Sequence, residues 1–250
     1  MKTTVIIPTY NRATHLPRAI TSLLRQRDAV DLDILVVDDG STDETPALLS
    51  DLARQHPCIR WLRQPNAGVA GARNAGLANL LPETSFVTFL DSDDVAPPGR
   101  FASDLPRLQA GPDAALTYGR MMLVEALDPE TLLPTATAKR VEVVGISLAC
   151  AIFRRALIER IGAFDLALRQ SEDTDYLLRA FESGAGFIQT DTLCLYYVRH
   201  PGNMTRDTIE AKRSFALAVL KSMQRRRANP GIVLNKPDFV LQPLAEIGFF

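Results

Sequence analysis

Short runs of apolar and β-branched residues alternate along the first hundred positions with segments whose apolar residues recur at helical spacing. The runs at 4–7, 33–37, 59–62 and 86–90 are of strand length and predict buried strands. Pro8 should end the first, because proline cannot donate to a central ladder. Leu16, Ile20, Leu23 and Leu24 mark one helix. Ser41-Thr42-Asp43-Glu44 fits a capping box opening a second, through Leu48, Leu49 and Leu52. A small, Gly-rich stretch at 66–76 runs helically on to Leu80. Strands that alternate with helices predict right-handed crossovers and a parallel sheet.

After residue 96 the pattern loosens, with prolines at 97, 98, 106, 112, 129 and 134. Strands are expected at 114–118, 120–124 and 193–198, a flexible loop at 128–139, an apolar run at 147–153 and a helix at 154–161. Ser171 can cap a further helix whose first turn holds Glu172, Asp173 and Asp175, where negative charge is favoured. Residues 206–229 read as a helix with Ile209, Phe215, Ala216, Val219, Leu220 and Met223 on an apolar face and six basic residues beside it. That face either packs back on the domain or meets a membrane surface or a second subunit. Residues 241–250 form an apolar tail without an assigned role.

Composition narrows the setting. The 250 residues suffice for one large α/β domain. A net charge of −1 gives no global field for nucleic acid, so no nucleic-acid partner is expected. Three widely separated cysteines, Cys58, Cys150 and Cys194, suggest neither a zinc site nor a disulfide framework and fit a reducing cytoplasm. The N-terminus is too weakly apolar for a signal peptide, and no run approaches the roughly 18 residues of a membrane span.

The chemistry gathers where the strands end. The run 86–90 passes directly into Asp91-Ser92-Asp93-Asp94, the run 33–37 into Asp38-Asp39, and the first strand into Thr9-Tyr10-Asn11-Arg12. In an open α/β sheet these carboxyl ends share one edge, so Thr9, Tyr10, Asp39, Asp91 and Asp93 should converge on one cleft. Closely spaced carboxylates suit a hard divalent cation shared with substrate phosphates; a solvated acidic turn is the plainer alternative. Glu172, Asp173 and Asp175 are explained by the helix start alone, or one of them is a general base held at the cleft. His200 is a surface residue, a metal ligand or a phosphate contact. Neither the dinucleotide fingerprint nor the phosphate-binding loop with its Gly-Lys-Ser/Thr is present, which argues against nicotinamide, flavin and ordinary ATPase chemistry.

These segments together resemble glycosyltransferase family 2. The likeness rests on residues 5–12, 36–43, Asn66-Ala67-Gly68 with Ala72-Arg73-Asn74, residues 90–94, Gly162-Ala163-Phe164-Asp165, residues 172–175 and His200-Pro201-Gly202-Asn203. It implies a GT-A fold, an α/β architecture in which helices flank a mostly parallel, Rossmann-like sheet. Residues 1–100 would form the nucleotide-sugar half, 101–205 the acceptor and catalytic half, and 206–250 a helical tail. It implies inverting transfer from a nucleotide-diphosphate sugar, UDP-linked by preference, to a glycan or glycolipid hydroxyl in bacterial surface polysaccharide or glycolipid synthesis. Pro8, Thr9, Tyr10, Asn11, Asp39, Arg73, Asp91 and Ser92 would bind the nucleotide, with the Asp39 carboxylate accepting from the base. Asp93, Asp91 and His200 would hold Mn²⁺ or Mg²⁺. Asp173 would be the general base and Glu172 an orienting neighbour. The expected location is the cytoplasm, or the inner face of the cytoplasmic membrane.

Two other readings compete. A catalytically silent sugar-nucleotide-binding module would keep the cleft without needing a base, and the intact Glu172-Asp173 pair counts against it. A nucleotidyltransferase would carry a Gly-rich basic loop after the first strand, unlike Thr9-Tyr10-Asn11-Arg12.

Overall fold

In the computed structural model, which describes residues 1–200, 202–203 and 208–240, the four apolar runs are strands β1 (Lys2–Thr9), β2 (Leu32–Asp38), β3 (Ile59–Arg63) and β4 (Thr84–Phe89). Helices α1 (Leu16–Leu24), α2 (Thr45–Gln55) and α3 (Gly68–Ala78) connect them. All pairings among these strands are parallel, with β1 between β2 and β4 and β3 outside β2. Strand β1 does not stop at Pro8. Asp39 N donates to Thr9 O at 2.9 Å and Leu90 N to Ile6 O at 3.1 Å, so odd positions face β2 and even positions face β4. The missing donor of Pro8 therefore lies on the β4 side, beyond the last registered pair, Ile6 and Phe89, where no ladder bond is lost. The expected capping box also does not form. Helix α2 starts at Thr45, whose N–H bonds the Asp43 carboxylate at 3.0 Å, while Ser41 Oγ accepts from Asn11 N at 2.9 Å.

The second half adds α4 (Arg100–Ala110), β5 (Ala114–Val124), β6 (Arg140–Val143), β7 (Ala151–Arg154), α5 (Arg155–Ile161), α6 (Glu172–Glu182), β8 (Gly186–Val198) and α7 (Thr208–Ala228). The sheet continues from β4 through β7 to β5, which takes β6 beside β7 and β8 on its other edge. The sheet stays mostly parallel, as expected, but this half adds antiparallel neighbours: β4–β7, β5–β7 and β5–β6 are antiparallel, and β5–β8 is parallel. The helix-free link 125–139 reverses the chain after β5, so β6 and β7 run against β5, and β7, placed between β4 and β5, runs against both. The two strands expected at 114–124 are one, with a register shift at Gly119. A Cβ there would lie 2.4 Å from Thr192 O, so only glycine lets β5 and β8 approach. The loop expected at 128–139 is braced: Asp128 Oδ1 accepts from Thr131 N at 2.8 Å, and Leu132 is buried.

One apolar core runs beneath both halves, from Val5 and Phe86 to Phe153 and Leu195. Within it Phe164 stacks on Tyr176 at 4.0 Å, and Phe89 meets Phe164 edge-on at 5.5 Å. This aromatic cluster joins the end of β4, the 162–165 turn and the first turns of α6, the three places where candidate site residues begin. The apolar face expected of α7 is divided: Phe215 and Val219 border a cavity against α6, and other members turn outward. The helix rests on the domain through Ser214, Ala218 and Ser222, while Ile209, Phe215, Leu220 and Met223 are exposed. Residues 201, 204–207 and the apolar tail 241–250 lie outside the described residues.

Candidate active site

The carboxyl ends of β1, β2 and β4 open on one side of the sheet, and α6 and the end of β8 close on it. After β1, Thr9 is buried and Tyr10 is 46% exposed. Asn11 takes a left-handed conformation, φ 51°, in which asparagine is favoured. Its Oδ1 accepts from Thr42 N at 2.8 Å and Asp43 N at 3.3 Å. Asn11 thus ties the loop after β1 to the loop after β2.

Asp39, expected to meet a base, is engaged within the protein. Its Oδ1 accepts from Gln64 Nε2 at 2.7 Å and Ala67 N at 2.9 Å, and its Oδ2 from Gly68 N at 2.8 Å. The carboxylate satisfies amides at the start of α3, where negative charge is favoured. Helix α3 in turn presents Arg73 and Asn74. The Asn74 amide donates to Phe164 O at 3.0 Å and accepts from Phe164 N at 2.7 Å, which fixes the turn before α6.

Arg73 is 4% exposed and lies between two candidate site acids: it pairs with Asp91 at 2.7 Å and with Glu172 in a short charge-assisted contact. Burial alone would lower its pKa, but Asp91, Glu172 and Asp173 raise it. Glu172 is buried, and burial pushes its carboxyl up to about 7 against the pull of Arg73. Burial likewise raises Asp173, again opposed by Arg73. Asp173 Oδ1 accepts from Thr174 N at 2.6 Å; among the described residues Oδ2 has no hydrogen-bond partner. Ser171 does not cap the helix: it sits at φ 57° and makes no capping bond.

The three acids after β4 have three different surroundings. Asp91 is 45% exposed and held by Arg73. Asp93 is mostly covered, with its Oδ2 3.0 Å from His200 Nε2 and 3.7 Å from Arg12. Asp94 is buried and accepts from Val198 N at 3.0 Å, so it fastens β8 to this loop. Burial and the neighbouring Asp93 and Asp91 hold its pKa well above the usual range. Ser92 is buried between them. His200 Nδ1 accepts from Gly202 N at 3.1 Å. The proton then sits on Nε2, which donates to Asp93. In this tautomer His200 supports Asp93; to ligate a cation through Nε2 it would have to release that proton.

No cluster of three or more His, Cys, Asp or Glu side chains among the described residues is preformed for a metal ion. The donors nevertheless fit Mg²⁺ or Mn²⁺, which commonly take one or two carboxylates and complete their shell from water and substrate phosphates. Asp91 and Asp93 could supply such a pair of carboxylates.

Sequence reasoning missed several participants. Arg12 and Arg18 both reach Asp93, Arg18 through the backbone carbonyl. His15 stacks on His200 with ring centroids 4.8 Å apart. Arg12 sits inside the polar loop that sequence reading singled out, so its position was visible; the covering by His15 and Arg18 from α1 was not.

The profile of Glycosyl transferase family 2 matches residues 4–162. The pre-mycofactocin glycosyltransferase of Mycobacterium tuberculosis is 34% identical over 201 residues, 73% of this chain and 39% of that protein. The chain spans well under half the length of the curated relatives it matches. Staphylococcus aureus TarS 1-349 in complex with UDP-GlcNAc superposes with a TM-score of 0.67 and 22% identity over 88% of this chain and 67% of that one. A mannosyltransferase from Pyrobaculum calidifontis in complex with GDP-Man and Mn²⁺ does so with a TM-score of 0.67 and 20% identity over 89% of this chain and 64% of that one. These two likenesses carry the fold. With the family profile covering most of the chain, they identify a GT-A protein that belongs to glycosyltransferase family 2.

Proposed function

We propose that the protein is a metal-dependent inverting glycosyltransferase that moves a sugar from a nucleotide-diphosphate donor to a hydroxyl of a glycan or lipid-linked acceptor, in bacterial surface polysaccharide or glycolipid synthesis. The observation that carries this reading is the line Asp93–Asp91–Arg73–Glu172–Asp173. It sets Asp91, Glu172 and Asp173 around one buried guanidinium, with Asp93, the second candidate cation ligand, two residues beyond Asp91 in the same loop. Both solved relatives bind nucleotide sugars, one with Mn²⁺, which supports a diphosphate donor. A uridine donor is our preference: Thr9 ends β1 and Tyr10 follows it beside Asp39, whose Oδ2 accepts from Gly68 N and keeps a lone pair for a base N–H.

In this reading Asp173 Oδ2 takes the proton of the acceptor hydroxyl as its oxygen attacks the anomeric carbon. The bond from that carbon to the diphosphate oxygen breaks on the opposite face, so configuration inverts. Glu172, held by Arg73, orients rather than accepts. A divalent cation bound at Asp93 and Asp91 would offset the charge appearing on the diphosphate.

The test is thermal stabilisation by UDP, GDP, dTDP and CDP, each with and without Mn²⁺. A ligand that binds only the folded state raises the melting temperature by mass action. One nucleotide should give a metal-dependent shift, and Asp93→Ala should remove it. A folded protein that responds to no nucleotide would contradict the donor-site assignment.

A further inference from the structure

We propose that the outward face of α7 docks the protein on an anionic lipid surface. An ordinary surface helix turns its apolar residues to the core; α7 turns only part of them inward and leaves Ile209, Leu220 and Met223 exposed. Small residues, Ser214, Ala218 and Ser222, face the protein. Polar ties do the rest: Arg225 pairs with Asp175 at 2.8 Å and Glu182 at 2.6 Å, and Lys221 with Asp165 at 2.6 Å. A cavity of about 220 Å³, lined by Leu177 and Phe181 of α6 and by Phe215 and Val219 of α7, underlies the helix. The helix therefore rests on a narrow strip, with Phe215 and Val219 at the cavity and Ile209, Leu220 and Met223 left on the outward side.

The chemistry of the exposed side selects the occupant. At 3.6 residues per turn Ile209, Leu220 and Met223 lie along one face with Arg213 and Arg227. Ile209 is 81% exposed and Leu220 47%. Lys212 borders the same face and is exposed. Glu210, the only acidic residue in α7, is half-buried to one side and accepts from Ser214 Oγ at 2.9 Å. Exposed apolar and cationic groups without an acid among them match a surface with an apolar interior and anionic headgroups. Long basic side chains can reach those headgroups while the apolar ones enter. A second copy of the chain is disfavoured, since a two-fold contact would set this face, with Arg213 and Arg227, against itself with no acid on it to pair them. Among the described residues no helix is long and apolar enough to cross a membrane, so the attachment is peripheral. Through Arg225 and Lys221 the docked helix is fastened to α6 and to the turn before it, and so to Asp173.

Co-sedimentation of the full chain with vesicles tests this without any donor or acceptor. One set is phosphatidylcholine alone, the other equal parts phosphatidylcholine and phosphatidylglycerol. The protein should pellet with the anionic vesicles only, and added salt should release it. Arg213→Gln and Arg227→Gln should each lower the partition about fivefold. Leu220→Asp should abolish it while leaving the melting temperature and its nucleotide response unchanged. Equal pelleting with both vesicle types, or with neither, would overturn the proposal. So would a concentration-dependent dimer, seen by light scattering, that Leu220→Asp dissolves.

Discussion

Arg73 supplies one positive charge to three acids, and its geometry decides what can replace it. A planar fork can bond Asp91 and Glu172 at once; an ammonium on a flexible stem cannot hold both in the same directions. Arg73→Lys should keep the fold and lose one charge-assisted hydrogen bond of roughly 1.5–3 kcal/mol. Transfer measured as kcat/KM should fall about 10- to 100-fold. The sign of the accompanying pH effect follows from the pKa directions. Burial already raises Asp173, and Arg73 is what restrains it. A less well-placed cation restrains it less, so the base stays protonated to higher pH and the acidic limb of the pH–rate profile moves upward. Wild-type activity should itself decline on acidification at a pH above the ordinary aspartate range. Asp173→Asn should remove transfer by about a thousandfold or more while leaving nucleotide stabilisation intact. Activity within a few-fold of wild type would reassign the base, with Glu172 next in line.

At the scale of elements, α3 reaches the site because Gly76 lets it lie close on β1. A Cβ at that position would stand 2.5 Å from Cγ2 of the fully buried Ile6. Two effects oppose each other in Gly76→Ala. Helix propensity gains about 1 kcal/mol, while overpacking costs about 1–3 kcal/mol. The fully buried Ile6 cannot give way easily, so the clash should win, with a net loss of up to about 2 kcal/mol in a denaturant melt. Because Arg73 lies one turn earlier on the same helix, kcat/KM should fall by more than the small stability loss explains. The sequence revealed α3 and the strands of the first half because each is a local pattern with its own period. It revealed the acidic cluster too, but not the division of labour within it. Asp93 and Asp94 are adjacent and alike; only the arrival of Val198 from β8 makes one structural. Strand β8 was underestimated because its first residues pack on β5 around Gly119, a close approach with no local signature. Ser171 has the right identity for a cap and the wrong backbone conformation. For helix α7 the sequence left the inward and outward uses of its apolar residues open, because the ion pairs that seat it, with Asp165, Asp175 and Glu182, are tertiary.

At the scale of the whole molecule the candidate site depends on both halves of the chain. Asp39, Arg73, Asp91 and Asp93 come from residues 1–100, and Glu172, Asp173 and His200 from beyond them. The sheet crosses that boundary at β4–β7, where Phe86 pairs with Arg154 and Val87 with Phe153. The core crosses it with Phe89 against Phe153 at 6.2 Å and Phe164 at 5.5 Å, and the Arg73–Glu172 pair crosses it at the site. Separating the halves would expose Phe86, Val87 and Phe89, each at most 1% exposed, at about 1.5–3 kcal/mol per large side chain. Neither half should therefore melt alone. Calorimetry should give one transition with calorimetric and van't Hoff enthalpies in agreement, and tryptophan emission from Trp61 in β3 should change at the same temperature as the far-ultraviolet signal. Two resolved transitions would mean that the β4–β7 junction opens independently, and Glu172 and Asp173 could then leave Arg73 and Asp91 without unfolding residues 1–100.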